Sequence, residues 1–282
     1  MKPVLWLPIF FGLFVLSMVI VWMTTSYNTF PRHVLPGDTF TVGDQKYRIP
    51  IMPHKTFQSK ESASVTKPIP VLSEKMLLDL RNLIEKTFGV MKEMDVSFWA
   101  TGGTLISAVL WGYLMPYDDD ADVSVLFRDK DKIWNQTFFD KCKEENLEVF
   151  VMRGVSKEYA PTKEMSALRV RKKGTYGPVV DIFFLDWDES QHRWAHVNGW
   201  NKDTIYFDHK NEVWEEDWLL PLQDKQVDGM IWPIPAQPEK MLTKHYGPEW
   251  KTVIKSPSPL FKSHQWAFWV SNTFGAWKVL NP

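Results

Sequence analysis

Four carboxylates, Asp118, Asp119, Asp120 and Asp122, crowd into the positions that lead directly into the β-forming run Val123, Ser124, Val125. Like charges so close repel unless a cation neutralises them. Strand alternation, extended backward from Val123, puts Asp118, Asp120 and Asp122 on one face and Asp119 on the other. Hard oxygen ligands in that pattern suit Mg²⁺ or Mn²⁺, which take a few carboxylates and leave positions for substrate phosphates. An EF-hand calcium loop is excluded, since neither Asp118 nor Asp120 begins a loop with the glycine and glutamate it requires. Taken alone, the cluster is equally readable as a solvated acidic turn.

Two further features bear on that choice. Upstream, a short apolar stretch at 98–100 is followed by Gly102 and Gly103 and by a helix-like run at 104–110. A glycine turn feeding a helix N-terminus presents backbone N–H groups to a phosphate. Downstream, Asp181 interrupts the run Val179, Val180, Ile182, Phe183, Phe184, and an acid among strong β formers is costly to bury unless it is paired or bound to metal. Acids paired on one strand, a third on another and a glycine turn form the arrangement by which nucleotidyltransferase-type sites hold two divalent ions for in-line phosphoryl transfer.

The surrounding pattern is mixed. A helix is expected from Ser73 as N-cap, with Met76, Leu77, Leu80, Leu83, Ile84, Phe88 and Met91 at helical spacing. Strands are expected at 123–127, 147–152, 166–170 and 179–185, with a polar helix at 130–146. This mixture indicates an α/β or α+β domain over residues 71–282. From Trp187 onward the chain is rich in Trp and Pro and shows no clear period. His192 and His196 are read as loop residues rather than a zinc pair, and Gly247 after Tyr246 as a helix end.

Residues 4–23 are apolar except for Ser17, long enough to span a bilayer as a helix. With no small-residue cleavage site behind it, the segment is expected to stay as an anchor. Lys2 precedes it and Arg32 is the first basic residue beyond it, which predicts a short cytoplasmic tail (1–3), a membrane helix (4–23), a stem (24–70) and a lumenal domain. In that compartment Asn135-Gln136-Thr137 would be a glycosylation acceptor. Composition narrows the functions. Thirty-three Lys and Arg against 34 Asp and Glu leave a net charge of −1, so no field draws in nucleic acid. The one cysteine, Cys142, excludes an internal disulfide and Cys-rich zinc modules. Fifteen Trp suit sugar stacking or membrane interfaces, but such side chains mostly fill cores. Dinucleotide, P-loop and nucleophile-elbow fingerprints are missing.

Gly103 to Ile106, followed without a gap in spacing by Pro116, Tyr117, Asp118, Asp120 and Asp122, resembles the motif of the LicD family, which includes bacterial phosphocholine transferases and the fukutin-type proteins. Val180-Asp181-Ile182-Phe183 is similar to the family's later strand, and Pro235, Leu242, Tyr246, Gly247 and Trp250 to its terminal segment. The sequence departs from the pattern at Ser107, Leu110 and Tyr117, where the family carries Gly, Arg and Trp. The resemblance implies a nucleotidyltransferase-like mixed sheet with flanking helices. It also implies a Mg²⁺- or Mn²⁺-dependent phosphotransferase taking a phospho-alcohol or phospho-sugar from a nucleotide diphosphate, CDP-linked, to a glycan hydroxyl on a glycoprotein or glycolipid. By the same resemblance, Asp118, Asp120, Asp122 and Asp181 would hold the metals, and Asp181 would orient or deprotonate the acceptor. Gly102, Gly103 and Thr104 would cradle donor phosphate. Arg169 or Arg171 would supply the charge missing at Leu110. The setting would be a type II membrane protein of the Golgi or endoplasmic reticulum. A membrane-anchored Asp-x-Asp glycosyltransferase and an inactive, glycan-binding family member stand as the alternatives.

Overall fold

A computed structural model describes residues 17, 32–35, 37–49, 54–56, 69–152, 167–175, 177–196, 213–252, 254–256 and 277–279. The tail at 1–3, the expected membrane segment 4–23 save Ser17, and much of the expected stem lie outside the described residues. No helix among the described residues is long and apolar enough to cross a membrane.

After Ser17, the described elements open with β1 (Arg32–Val34), β2 (Thr39–Val42), β3 (Gln45–Arg48), β4 (His54–Thr56) and β5 (Ile69–Val71), followed by the long helix α1 (Glu74–Glu93). Next come β6 (Phe98–Ala100), α2 (Gly102–Ile106) with a π-helical turn Ser107–Trp111, β7 (Asp120–Leu126), α3 (Lys130–Ile133) and α4 (Gln136–Glu144). Then follow β8 (Leu147–Met152), β9 (Ala167–Lys172), β10 (Val179–Asp188), β11 (Arg193–His196) and β12 (Val213–Trp214). The last elements are α5 (Glu216–Leu219), β13 (Gln223–Val227), β14 (Met230–Ile234), α6 (Pro238–Tyr246), β15 (Ile254–Ser256) and β16 (Trp277–Val279).

One mixed sheet dominates, in the order β6-β7-β10-β9-β8-β16, with β11 and then β12 joined to the last residues of β10. β7 and β10 run parallel, while the other pairings of this sheet are antiparallel. β10 sits between neighbours and is buried from Val179 through Leu185, as an unbroken apolar run in a central strand requires. The pleat then sorts the residues. Ala121, Val123 and Val125 of β7, Val180, Ile182 and Phe184 of β10, Leu168 and Val170 of β9 and Val149 of β8 join one apolar cluster with α1. The helix presents Leu77, Leu80, Leu83, Ile84, Phe88 and Met91 to them, the stripe expected from its spacing. Its start is fixed by Ser73, whose Oγ accepts the Met76 N–H at 3.2 Å.

The opposite face is divided. Trp99, Leu126, Leu185, Trp214, Leu219 and Met241 form a second apolar cluster there, which brings α5 and α6 against the sheet. Further along the same face, the pleat and the strand register put Asp120 and Asp122, Asp181, Arg169 and Arg171, and Glu148 side by side.

Three expectations change. The stretch read as a stem supplies a hairpin to the domain: β2 pairs with β3, and Val42, Tyr47 and Ile49 are buried. Short alternating segments such as Phe40 to Val42 are strand-like, but Pro, Lys and Thr around them mask the pattern. The polar helix at 130–146 is two helices, broken at Trp134 and Asn135, because Asn135 caps α4 by accepting the Phe138 N–H at 2.9 Å. The described residues after Trp187 form short strands and helices, too brief to show a period. His192 lies in a turn with φ 48°, so the two histidines share no helix. Gly247 ends α6 as expected, its N–H donating to Thr243 O at 2.9 Å.

Candidate active site

β7 and β10 are parallel and in register, so that Asp122 lies opposite Asp181, and on the far side of β10 Asp181 lies opposite Arg169. Three charged residues thus form a row across three strands, with Asp120 two residues before Asp122 on the same face. Carboxylate oxygens of Asp120, Asp122 and Asp181 come within 4.8 Å of one another, as do those of Asp118, Asp119 and Asp120. Asp120 belongs to both groups.

The alternation expected for the acids holds from Asp120 onward, where the strand begins. Asp118 and Asp119 precede it in irregular backbone, so period-two reasoning does not apply to them. Asp119 does not point away from the cluster: it is buried and shares the first group with Asp118 and Asp120.

The helix that precedes these acids is tied to them. Thr101 N–H donates to Asp122 O at 3.0 Å, and Asp122 N–H donates to Thr104 Oγ1 at 2.7 Å. Thr104 is buried, and its hydroxyl oxygen serves to align β7 with α2. The glycines matter for a reason beyond phosphate approach. Gly102 has φ +56°, and a Cβ there would stand 2.7 Å from Asp122 Oδ2; at Gly103 it would stand 2.6 Å from Asp118 Oδ2. Both carboxylates lie where side chains would be.

The segment from Gly112 to Asp118 is anchored at nearly every step. Asp228 N–H donates to Gly112 O at 3.0 Å, and Leu114 N–H donates to Asp228 Oδ2 at 2.9 Å. Ser107 Oγ accepts the Met115 N–H at 3.2 Å and donates to Gly103 O at 3.3 Å. Leu72 N–H donates to Pro116 O at 2.7 Å. Tyr117 packs on Trp111 with ring centroids 5.9 Å apart, beside Ile49, Val71 and Met115; burial pushes its hydroxyl well above the ordinary range. Ser107, a departure from the family motif, is therefore a clamp between helix and loop. Leu110 packs against the main core. Asp228 was not singled out in the sequence, and Ser107 only as a departure from the motif, although Asp228-Gly229 between Val227 and Met230 is the signature of a tight hairpin.

Arg169 holds both oxygens of Asp181, its Nε donating to Oδ1 at 2.5 Å and its Nη2 to Oδ2. The two side chains are only 12% and 8% exposed. Burial opposes the Arg169 charge, but attraction from Asp181, and then from Asp120 and Asp122, outweighs it and holds the guanidinium above its ordinary pKa. Next to this pair Arg171 Nε donates to Glu148 Oε2 at 2.9 Å. Arg169, one of the two arginines expected near the site, reaches the acids through Asp181.

The donor set fits a hard divalent cation. It consists of carboxylate oxygens carried on two hydrogen-bonded strands, with glycines keeping the adjacent space clear.

Among curated proteins, the chain is 24% identical over 188 residues to an uncharacterised protein of Rickettsia typhi, covering 66% of this chain and 52% of that one. It is 23% identical over 193 residues to an uncharacterised protein of Rickettsia prowazekii, covering 67% and 62%. It is 26% identical over 188 residues to the human ribitol 5-phosphate transferase FKRP, covering 63% and 32%. The chain thus spans less than two thirds of each relative. Among solved structures, a lincosamide antibiotic adenylyltransferase with lincomycin bound aligns at 15% identity and TM-score 0.35, over 58% of this chain and 84% of that one. The family model described as LicD/FKTN/FKRP, nucleotidyltransferase domain, matches residues 95–237. That stretch is half of the chain and contains every acid of the cluster, the glycine pair and Arg169, and the chain belongs to the LicD family.

Proposed function

We propose that this protein is a transferase that moves a phospho-alcohol or phospho-sugar group from a nucleotide diphosphate donor, CDP-linked, to a hydroxyl of a glycan on a glycoprotein or glycolipid. One observation carries the proposal: Asp120, Asp122 and Asp181 converge from two parallel strands with oxygens within 4.8 Å, in a chain of the LicD family. The name of the human relative, a ribitol 5-phosphate transferase, supports the phospho-alcohol class.

Asp118, Asp120, Asp122 and Asp181 would hold Mg²⁺ or Mn²⁺, which when bound supplies charge stabilisation at the phosphorus under attack. Gly102 and Gly103 leave room for donor phosphate at the start of α2, where no side chain caps the helix. Thr104 keeps that start in register with Asp122. Asp181 would orient or deprotonate the acceptor hydroxyl, and Arg169 beside it would be the cationic group for the transferred phosphate. The acceptor oxygen forms the new bond to phosphorus while the bond to the nucleoside monophosphate breaks. A type II anchor at residues 4–23, in the Golgi or endoplasmic reticulum, would hold the site in the lumen; its apolar length and Lys2 support this.

The test is product analysis. The protein is incubated with Mn²⁺, a panel of nucleotide diphosphate donors and a glycan acceptor. Release of the nucleoside monophosphate is expected. Release of the diphosphate would mean a glycosyltransferase, and absence of turnover with every donor would favour a binding protein.

A further inference from the structure

Asp122, Asp181 and Arg169 occupy one line across three strands, and Asp120 completes the carboxylate group. Asp120, Asp122, Asp181 and Arg169 carry a formal charge of −2, and Asp118 and Asp119 beside Asp120 add two further negative charges, so the face is strongly acidic even with its guanidinium. Arg171, one pleat further along β9, is matched by Glu148 at 2.9 Å, so its charge is already balanced. A guanidinium bound through two parallel hydrogen bonds is among the strongest partners a carboxylate has. At 12% and 8% exposure, solvent and salt screen the pair little.

A cation that takes an oxygen of Asp181 must therefore either displace this guanidinium or share the carboxylate with it. Both cost affinity, since two positive charges then lie within a few ångströms in a half-dry site. We infer that Arg169 is a built-in counter-cation: it holds the acidic face together before a metal ion arrives and competes with that ion for Asp181, and so sets how tightly the ion is held. This rests on the metal-dependent reading above and assigns Arg169 a positioning role in addition to any contact with phosphate. Such an arrangement lets the domain fold with its carboxylates clustered and keeps the cation exchangeable.

The experiment measures Mn²⁺ binding to the full chain without donor, by electron paramagnetic resonance of the free ion, together with thermal unfolding with and without Mn²⁺. Arg169→Gln is expected to bind Mn²⁺ about tenfold more tightly, about 1.4 kcal/mol. It should also unfold at lower temperature than the unsubstituted protein in chelator, and be raised further by Mn²⁺. Arg169→Lys keeps a charge but loses the two-pronged geometry and should shift affinity in the same direction by less; it decides the matter if the Gln variant does not fold. In an Asp181→Asn background, Arg169→Gln should no longer tighten binding, because the shared partner is gone. Unchanged or weaker Mn²⁺ binding in a folded Arg169 variant overturns the inference while leaving the metal-dependent reading intact. Absence of Mn²⁺ binding by the unsubstituted protein overturns both.

Discussion

A methyl group at Gly103 would meet Asp118 Oδ2 at 2.6 Å and Met115 Cε at 3.0 Å. The carboxylate is the end of a flexible side chain and can swing aside. Gly103→Ala should therefore fold with little loss of stability while weakening Mn²⁺ binding and lowering nucleotide release ~10-fold, because it displaces a ligand rather than a packing contact. Gly102→Ala adds backbone strain at φ +56° and should cost stability too, by about 1 kcal/mol or more. Titrating Mn²⁺ into both variants and comparing their melting curves separates the two; a Gly103→Ala protein with normal affinity would show that Asp118 is not a ligand. At this scale, the convergence of Asp120, Asp122 and Asp181 was legible in the sequence because β-strand pairing turns a period of two into a shared face. Asp119 was not, since it lies before the strand where no period governs direction. Thr104 and Arg169 were named in the sequence, Arg169 as an alternative to Arg171, but their partners, the Asp122 N–H and the Asp181 carboxylate, depend on register.

The β13-β14 hairpin acts on the site through its turn. Asp228 and Gly229 both have positive φ, 48° and 80°, as a two-residue hairpin turn requires. The Asp228 carboxylate is buried, its Oδ2 accepts the Leu114 N–H, and the Tyr47 hydroxyl lies against it. Burial raises its pKa above the ordinary 3.8, against lowering by the Leu114 N–H and Arg81. A carboxyl group whose pKa is raised on folding stabilises the fold at low pH, and that contribution is lost as pH climbs through the folded value. Asn can accept the same N–H without a charge and tolerates positive φ. Asp228→Asn should accordingly gain in melting temperature relative to the unsubstituted protein as pH rises from about 4 to 7, whereas Asp228→Ala, which orphans the Leu114 N–H, should lose about 1–3 kcal/mol at every pH. Melting curves across that range check it, and an Asn variant that loses ground as pH rises would contradict the assignment. Among the elements, α1 was plain in the sequence because it is long enough to show its period, and β10 because its run of β formers is continuous save for Asp181. The β2-β3 hairpin was hidden by the Pro, Lys and Thr residues around it, and the β13-β14 hairpin because β13, Gln223-Asp224-Lys225-Gln226-Val227, is too polar to read as a strand.

At the scale of the whole molecule, the fold gathers glycine turn, acidic strand and Asp181 strand on one face of a mixed sheet, while α1 and its apolar partners fill the other. The lumenal placement proposed from residues 4–23 predicts that the full-length protein, made in a eukaryotic cell, resists protease in sealed microsomes; digestion in intact vesicles would reverse the orientation. The central claim is that the carboxylates form one cation site for phosphoryl transfer, and Asp120 is the residue that both groups share. The most direct measurement is therefore Mn²⁺ binding and nucleoside monophosphate release in Asp120→Asn, which keeps the shape and removes the charge. Loss of Mn²⁺ binding and a fall in kcat of ~10²-fold or more are expected with the fold retained, whereas full binding and turnover in that variant would mean that these carboxylates are not the cation site.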